Sequence, residues 1–422
     1  MASITRRHFI GIGGLSLAAV GLTACGGSGF EEESGATSVP GDSSSPTGFE
    51  TTDSKLTVLI GSSGAAETTA VTAAVAAWAE DSGVTADVLP ANNLEQQLSQ
   101  GFASGNPSDL FYLSTDALGG YAANDSLQPY GDQLDASSFY EALVTAFTVD
   151  DVFYAAPKDF STLALIINKK SWADAGLTDA DLPTTWEEFS TVTEKLTTDT
   201  QAGLGTSPEY QRLGVFMAQA GGELVTDGKA TANSQECIDG LTYIQEMLGK
   251  GHAQLTTDLG AGWGGEAFGK ELCAMTIEGN WISGAMKSDY PTVEYLVAEL
   301  PAGPAGMGTL QFTNAWGLAS DSKNQGAALE LVKALTAPEQ QMAFADAFGV
   351  MPSVKATGEE WKTKYPEQAA FLAGAEYAKN PPAQTGVGAV ISDLNAKLET
   401  IKTGDIKAIL DEVQANLEAA LG

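Results

Sequence analysis

Basic residues are scarce in this chain: 21 Lys and Arg stand against 54 Asp and Glu, for a formal charge of −33. Arginine occurs only at Arg6, Arg7 and Arg212, and histidine only at His8 and His252. A surface of that sign repels nucleic acid and anionic lipid, which removes both as expected partners. It suits neutral or cationic small ligands, and the solubility that negative charge confers explains most of it. So few histidines cannot build a histidine-rich metal site, and neither H-E-x-x-H nor G-x-S-x-G occurs. Carboxylates are plentiful, yet no spacing marks two of them as an acid–base pair. The glycines of IGSSGAAET match neither nucleotide signature and read as a strand-to-helix turn. The expectation is therefore no enzyme, no cofactor and no metal.

Long apolar runs are also missing. The weakly apolar stretch that ends at Leu22 is shorter than the roughly 20 residues needed to span a bilayer. It follows Arg6-Arg7 and leads through small residues to Cys25, the pattern of an export signal over residues 1–24. TRRHFI is similar to the twin-arginine signature, and the general secretory route stays open. Leu22-Thr23-Ala24-Cys25 resembles a lipoprotein signal-peptidase box, in which Cys25 would receive a diacylglyceryl group; the alternative is a secretory signal with a chance cysteine. Such an anchor would hold the protein on the outer face of a membrane without a transmembrane helix. Residues 25–53, rich in Gly, Ser, Thr, Glu and Pro, lack the apolar side chains that offset chain entropy and read as a disordered tether. Apart from Cys25, the cysteines are Cys237 and Cys273, either a disulfide or two buried free thiols.

From residue 54 onward the chain is long for one core and suggests two lobes. Strand-like and helix-like segments alternate, which argues for an α/β fold. KLTVLIG, VTADVLP and SDLFYLS read as strands, and VFYAAPKD and STLALIINK as two further extended runs around Pro157. KELCAMTIEG, VEYLVAELP and QFTNAWGLAS read as later strands. Val71, Val75 and Trp78 share one helical face, and Thr185 with Glu188 forms a capping box. A helix begins near Asn233 and stops at Gly249 or Gly251, another runs from Pro338 to Gly349, and two core-facing helices end the chain.

The order and spacing of these pieces resemble the maltose-binding-like (family 1) extracellular solute-binding proteins of bacterial ABC importers. The text that carries the resemblance is KLTVLIG, NPSDLFYLSTDALGGYAANDSLQPY, APKDFSTLALIINKKSW with TWEEF, and MAQAGGELV. Further on it is FGKELCAMTIEGNW with AELPAGP, then NAWGLASDSKNQGAALELVKALTAPEQQ with GVMPS. The resemblance implies two α/β lobes joined by strands that cross near Asp159–Leu163, Thr309–Thr313 and Val350–Val354. One lobe would hold residues 54–160 and 312–350, the other 161–311 and 351–422. A solute would lie in the cleft between them and be delivered by hinge closure to the membrane permease, with the receptor acting as a monomer.

Sugars present hydroxyl edges and apolar faces, so their sites need carboxylates and amides beside aromatic rings. By resemblance the contacts fall at Asp116, Asp159, Ser161, Asn280, Trp281 and Asn314, with Tyr210, Trp263 and Trp316 as further aromatics; Gln211 or Arg212 could replace Tyr210. Each has a plainer reading: a helix N-cap for Asp116, turn chemistry for Asp159 and Ser161, core packing for the aromatics. At Val387-Gly388, where some relatives place an aromatic contact, this chain has none, which speaks against a long maltodextrin. A polyamine, which also calls for acids and aromatics, and a non-transport surface sensor stand as rival readings.

Overall fold

The computed structural model describes residues 55–61 and 65–422. The export signal, Cys25 and the tether lie outside the described residues. The strands, in chain order, are β1 (Leu56–Ile60), β2 (Ala86–Pro90), β3 (Leu110–Ser114), β4 (Thr148–Val149), β5 (Val152–Phe153), β6 (Pro157–Asn168) and β7 (Ala202–Thr206). They continue with β8 (Val225–Thr226), β9 (Lys229–Ala230), β10 (Ala253–Leu255), β11 (Cys273–Gly279), β12 (Tyr295–Ala298), β13 (Thr309–Leu318) and β14 (Ala378–Lys379). The fold is mixed α/β, as expected. The principal sheet runs β10-β7-β11-β6-β13-β3-β1-β2, with β12 also on β6 and β14 also on β13.

Two long strands organise this sheet. β6 and β13 pair antiparallel through Thr162–Pro157 and Gln311–Ala315. Beyond that stretch β6 carries β11, with Leu163 opposite Gly279, while β13 carries β3, with Asn314 opposite Ser114. Because β11 runs antiparallel to β6, and β3 antiparallel to β13, the C-terminal ends of both point at the central stretch of β6 and β13. β7 lies parallel to β11, and β1 parallel to β3, so each half of the sheet aims its strand ends at the same place. Met351 bridges to Phe160 and brings a third chain passage to that centre.

The sequence accounts for these elements locally. β6 is buried along its whole length, which its run of Leu, Ala and Ile requires. It is one strand of 12 residues starting at Pro157, not two runs, because Asp159 and Ser161 hold ladder positions instead of forming a turn. Thr185 caps the helix Trp186–Leu196, accepting from the Glu188 N–H at 3.3 Å. The reciprocal bond is displaced by one residue, with the Glu188 carboxylate accepting from Thr184 N–H at 2.8 Å. Helix Gln235–Lys250 is capped by Ser234 and ends at Gly251, whose φ of +77° suits a residue without a Cβ. Cys237 and Cys273 are free and buried, so the disulfide alternative falls.

Three cores sit against the sheet. One draws on β1, β3 and residues up to Val354; a second on β6, β7, β11 and the C-terminal helices Val387–Leu398 and Ile406–Leu421; a third packs Phe160, Ile166, Phe268, Trp361 and Phe371 on the opposite face of β6. In the second core the helices Tyr210–Ala220 and Gln235–Lys250 approach closely at Gly240, where a Cβ would lie 2.6 Å from the Met217 backbone. Backbone cannot swing aside, so Gly240→Ala must part the helices. Overpacking of this kind costs about 1–3 kcal/mol, against a helix-propensity gain of at most about 1 kcal/mol. The expected outcome is a lower urea midpoint with an unchanged slope.

Candidate functional site

In open α/β sheets, ligands lie at the carboxyl ends of the strands. Here those ends converge on Asp159–Leu163 and Gln311–Asn314. Residues opposite one another in an antiparallel pair share a face, as do residues two apart along a strand. Asp159 opposes Asn314, which opposes Ser114, and Ser161 opposes Phe312. These five side chains form one face; Phe160 and Thr162 point to the other, into the third core.

Along this face the register steps from Asp159–Asn314 to Pro157–Ala315, leaving Lys158 as an extra residue in a bulge. The bulge lets the neighbours Lys158 and Asp159 reach the same place. The Lys158 ammonium pairs with Asp159, lies 3.0 Å from Glu67 Oε1 and sits 4.3 Å from the centre of the Tyr112 ring. Tyr112 donates its O–H to the same Glu67 oxygen at 2.8 Å. All four are buried. Burial alone would push the ammonium down, yet Asp159, Tyr112 and Glu67 together hold it above its ordinary value. Burial raises the Asp159 carboxyl; Lys158 draws it back, and the like charge of Glu67 adds to the rise.

The other half contributes a second group. The loop after β11 begins with Asn280, whose N–H donates to Ser161 Oγ at 2.8 Å and whose amide donates to Gly349 O at 2.7 Å. Trp281 follows with 39% of its surface exposed, in a protein whose Trp172, Trp316 and Trp361 are buried. Its ring meets Phe312 edge-on at 5.7 Å, and its indole N–H donates to Glu278 Oε2 at 2.9 Å. Arg212 donates to that same oxygen at 2.8 Å and lies against the indole, 5.3 Å from its centre. Glu278 is wholly buried; desolvation raises its carboxyl, and Arg212 and Trp281 pull it back.

Of the nine expected contacts, Asp159, Ser161, Asn280, Trp281 and Asn314 come together here. Asp116 stands two residues beyond Ser114, in the first turn of helix Thr115–Ala123. It is not the cap: Ser114 is, accepting from Ala117 N–H at 3.3 Å. Asp116 is open to solvent, but the surrounding wall strips part of its hydration, and with Glu95 this raises its carboxyl. Trp263 is half-buried, folded over Gly265 beside the third core. Two others lie in the core. Tyr210 is buried, its ring against Gly214 and Leu310 in the second core. Two residues along a helix turn through about 200°, so Arg212 faces the cleft while Tyr210 faces the core. Trp316 lies deeper on the face of Asn314 and is covered by Tyr112, 5.1 Å away and edge-on.

Glu67, Lys158 and Glu278, which buttress this constellation, were not among the expected residues. The available signal was a charged residue inside a run that otherwise reads as fully buried, PKDFSTLALIIN for one and CAMTIEG for another. A separate groove of about 1230 Å³, lined by Tyr140, Glu141, Lys355, Glu359 and Asn380 among others, contains none of the nine. Among the described residues no group of acidic, Cys and His side chains could hold a metal, and no helix is long and apolar enough to cross a membrane.

The crossing of two half-sheets, with a partly open indole beside carboxylates and amides, is an arrangement suited to holding a small solute. A family profile for bacterial extracellular solute-binding proteins matches residues 73–373, and the chain belongs to that family. This is a family of binding proteins, not enzymes. The diacetylchitobiose-binding protein DasA of Streptomyces coelicolor is 27% identical over 296 residues, which cover 66% of this chain and 68% of that protein. The cyclic α-maltosyl-1,6-maltose-binding protein of Arthrobacter globiformis superposes with a TM-score of 0.77 at 20% identity, covering 87% of this chain and 99% of that one. UgpB of Mycobacterium tuberculosis, solved with glycerophosphocholine, gives a TM-score of 0.73 at 16% identity, covering 87% and 98%. The fold is therefore the two-lobe fold of periplasmic binding proteins.

Lys158→Met tests the buried cluster. Removing one partner of a buried ion pair costs about 3–5 kcal/mol, because the remaining charge keeps its desolvation penalty. A buried carboxyl whose native pKa is raised contributes stability below its unfolded pKa and loses it as pH rises through the native value. The deficit of Lys158→Met is accordingly expected to be larger at pH 7 than at pH 5 in urea titrations, and Asp159→Asn in the same chain should recover part of it.

Proposed function

We propose that this protein is the lipid-anchored receptor of an ABC importer, holding a mono- or oligosaccharide in the interlobe cleft and presenting it to the membrane permease by hinge closure. The observation that carries the sugar assignment is Trp281: an indole open to solvent, backed by Arg212 and Phe312 and surrounded by hydrogen-bonding groups. A sugar ring would stack on the exposed part of the indole while its hydroxyls meet Asp116, Asp159 and Asn314. The sugar named for DasA and that named for the Arthrobacter protein favour the same class.

The lobes are taken as residues 54–160 with 312–350 and 161–311 with 351–422. The first core, drawn from 56–156 and 315–354, follows that division except at Val354, while the third joins Leu143 and Met342 of the first lobe to Phe268 and Phe371 of the second. Ligand would stabilise the closed form because only there do both walls touch it. Lipid on Cys25 would keep the receptor, acting as a monomer, beside the permease. A polyamine is the second reading, favoured by the number of cleft carboxylates and by a fold that also serves UgpB.

Thermal unfolding of residues 54–422 against mono- and oligosaccharides, polyamines and amino acids decides between them. A ligand at 100 times its dissociation constant adds about 2.7 kcal/mol of stability, several degrees of melting temperature. A shift with sugars is expected; a shift with polyamines alone would overturn the sugar assignment. Trp281→Ala should weaken binding about tenfold or more, equivalent to about 1.4 kcal/mol, in calorimetric titrations. If hydroxyls donate to the Asp116 carboxylate, affinity is complete above its raised pKa. It then falls as pH drops, beginning above the ordinary range near about 4, with proton release on binding.

A further inference from the structure

Beneath the Trp281 indole lies a charge arrangement that stacking a neutral ring does not require. Arg212, the sole arginine among the described residues, faces the cleft with its charge already paired inside the protein. Its Nη2 donates to Glu278 Oε2, Glu209 flanks Nη1 at 3.6 Å, and the guanidinium carbon lies 5.3 Å from the centre of the Trp281 ring. Because the indole N–H donates to that same Glu278 oxygen, one buried atom ties down both the edge of the ring and the cation against it. Gly264 lies close on the other side: a Cβ there would stand 2.5 Å from Glu278 Oε1, so only a residue without a side chain leaves the carboxylate in place. Oε1 itself and Thr206 Oγ1 find no protein partner.

A neutral amide could accept the indole N–H equally well and would carry a far smaller desolvation cost. What only a carboxylate can do is cancel the guanidinium. Lys158, the other cation at this junction, is likewise tied to carboxylates. Both cations of the site are thus spoken for from within.

We propose that Glu278 is a positioning residue with two effects: it locks Trp281 as a fixed stacking platform, and it neutralises Arg212 so that the cleft favours neutral solutes over those bearing a carboxylate or phosphate. The first effect stands on this geometry alone; the second rests on the sugar-binding reading.

Glu278→Ala removes both the acceptor and the charge, whereas Glu278→Gln removes only the charge. In the unliganded protein, the emission of Trp281 is taken as the difference between each chain and its Trp281→Phe counterpart. Acrylamide quenching then reports access to the ring, and iodide quenching reports local positive charge. Glu278→Ala should raise acrylamide quenching about twofold. Glu278→Gln should leave acrylamide quenching near the parent value but raise iodide quenching about twofold, and adding Arg212→Met should abolish that rise. Titrations with glucose, maltose, diacetylchitobiose and glucuronate complete the test. Glu278→Ala should weaken whichever neutral sugar binds by about tenfold, and Glu278→Gln should shift the glucuronate-to-glucose preference about tenfold towards glucuronate, again reversed by Arg212→Met. Unchanged acrylamide quenching in Glu278→Ala, or an unchanged iodide response in Glu278→Gln, in chains with parental near-ultraviolet dichroism, overturns the proposal. A parent protein silent to every sugar, with both quenching responses as expected, defeats the sugar reading and the charge selectivity while upholding the platform.

Discussion

The antiparallel pairing of β6 with β13 is the contact on which the rest of the structure depends. Each strand leaves one half of the sheet and continues into the other, so the register between Thr162–Pro157 and Gln311–Ala315 sets where the two sets of parallel strands end. Those ends must meet over the shared stretch, and the first residues beyond them, Asp116 on one side and Asn280 and Trp281 on the other, are brought there by topology. The bulge at Lys158 adds one adjustment, turning two neighbouring side chains into a single cluster instead of opposite faces.

Charge at this junction is handled from inside. Lys158 faces two carboxylates, and Arg212 is held between Glu278, Glu209 and the face of an indole. Buried ion pairs contribute little net stability, since the attraction mainly offsets desolvation. Their value here is geometric: they keep Tyr112 and Trp281 in fixed positions around a cleft whose remaining groups are amides, hydroxyls and the open carboxylate of Asp116. The two half-sheets thus meet through a junction only a few strands wide, a connection of the kind that permits hinge motion.

The chain's elements were largely legible in its residues. Apolar periodicity, Thr185, Pro338 and the glycine stops marked strands and helices close to where they stand, because those signals act over a few residues. β6 was the exception: PKDFS looks like a turn, and only pairing with β13 on one side and β11 on the other holds it extended. The helix starting at Tyr210 shows the matching limit for side chains. Tyr210 and Arg212 were both in view, and which one reaches the cleft depends on the rotation of that helix against Gly240 and Leu310.

By itself, the sequence determined the alternation of elements, the acidity of the surface and the family to which the protein belongs, since each is written in local pattern or in ordered text. Tertiary structure alone decided that Trp281 is open while Trp316 and Tyr210 are core. It also decided that Cys237 and Cys273 stay apart, and that Glu67, more than 90 residues from Lys158 in the chain, shares its ammonium. The physical reason is that burial and charge pairing are properties of surfaces brought together by long-range register, and no short window of residues carries that register.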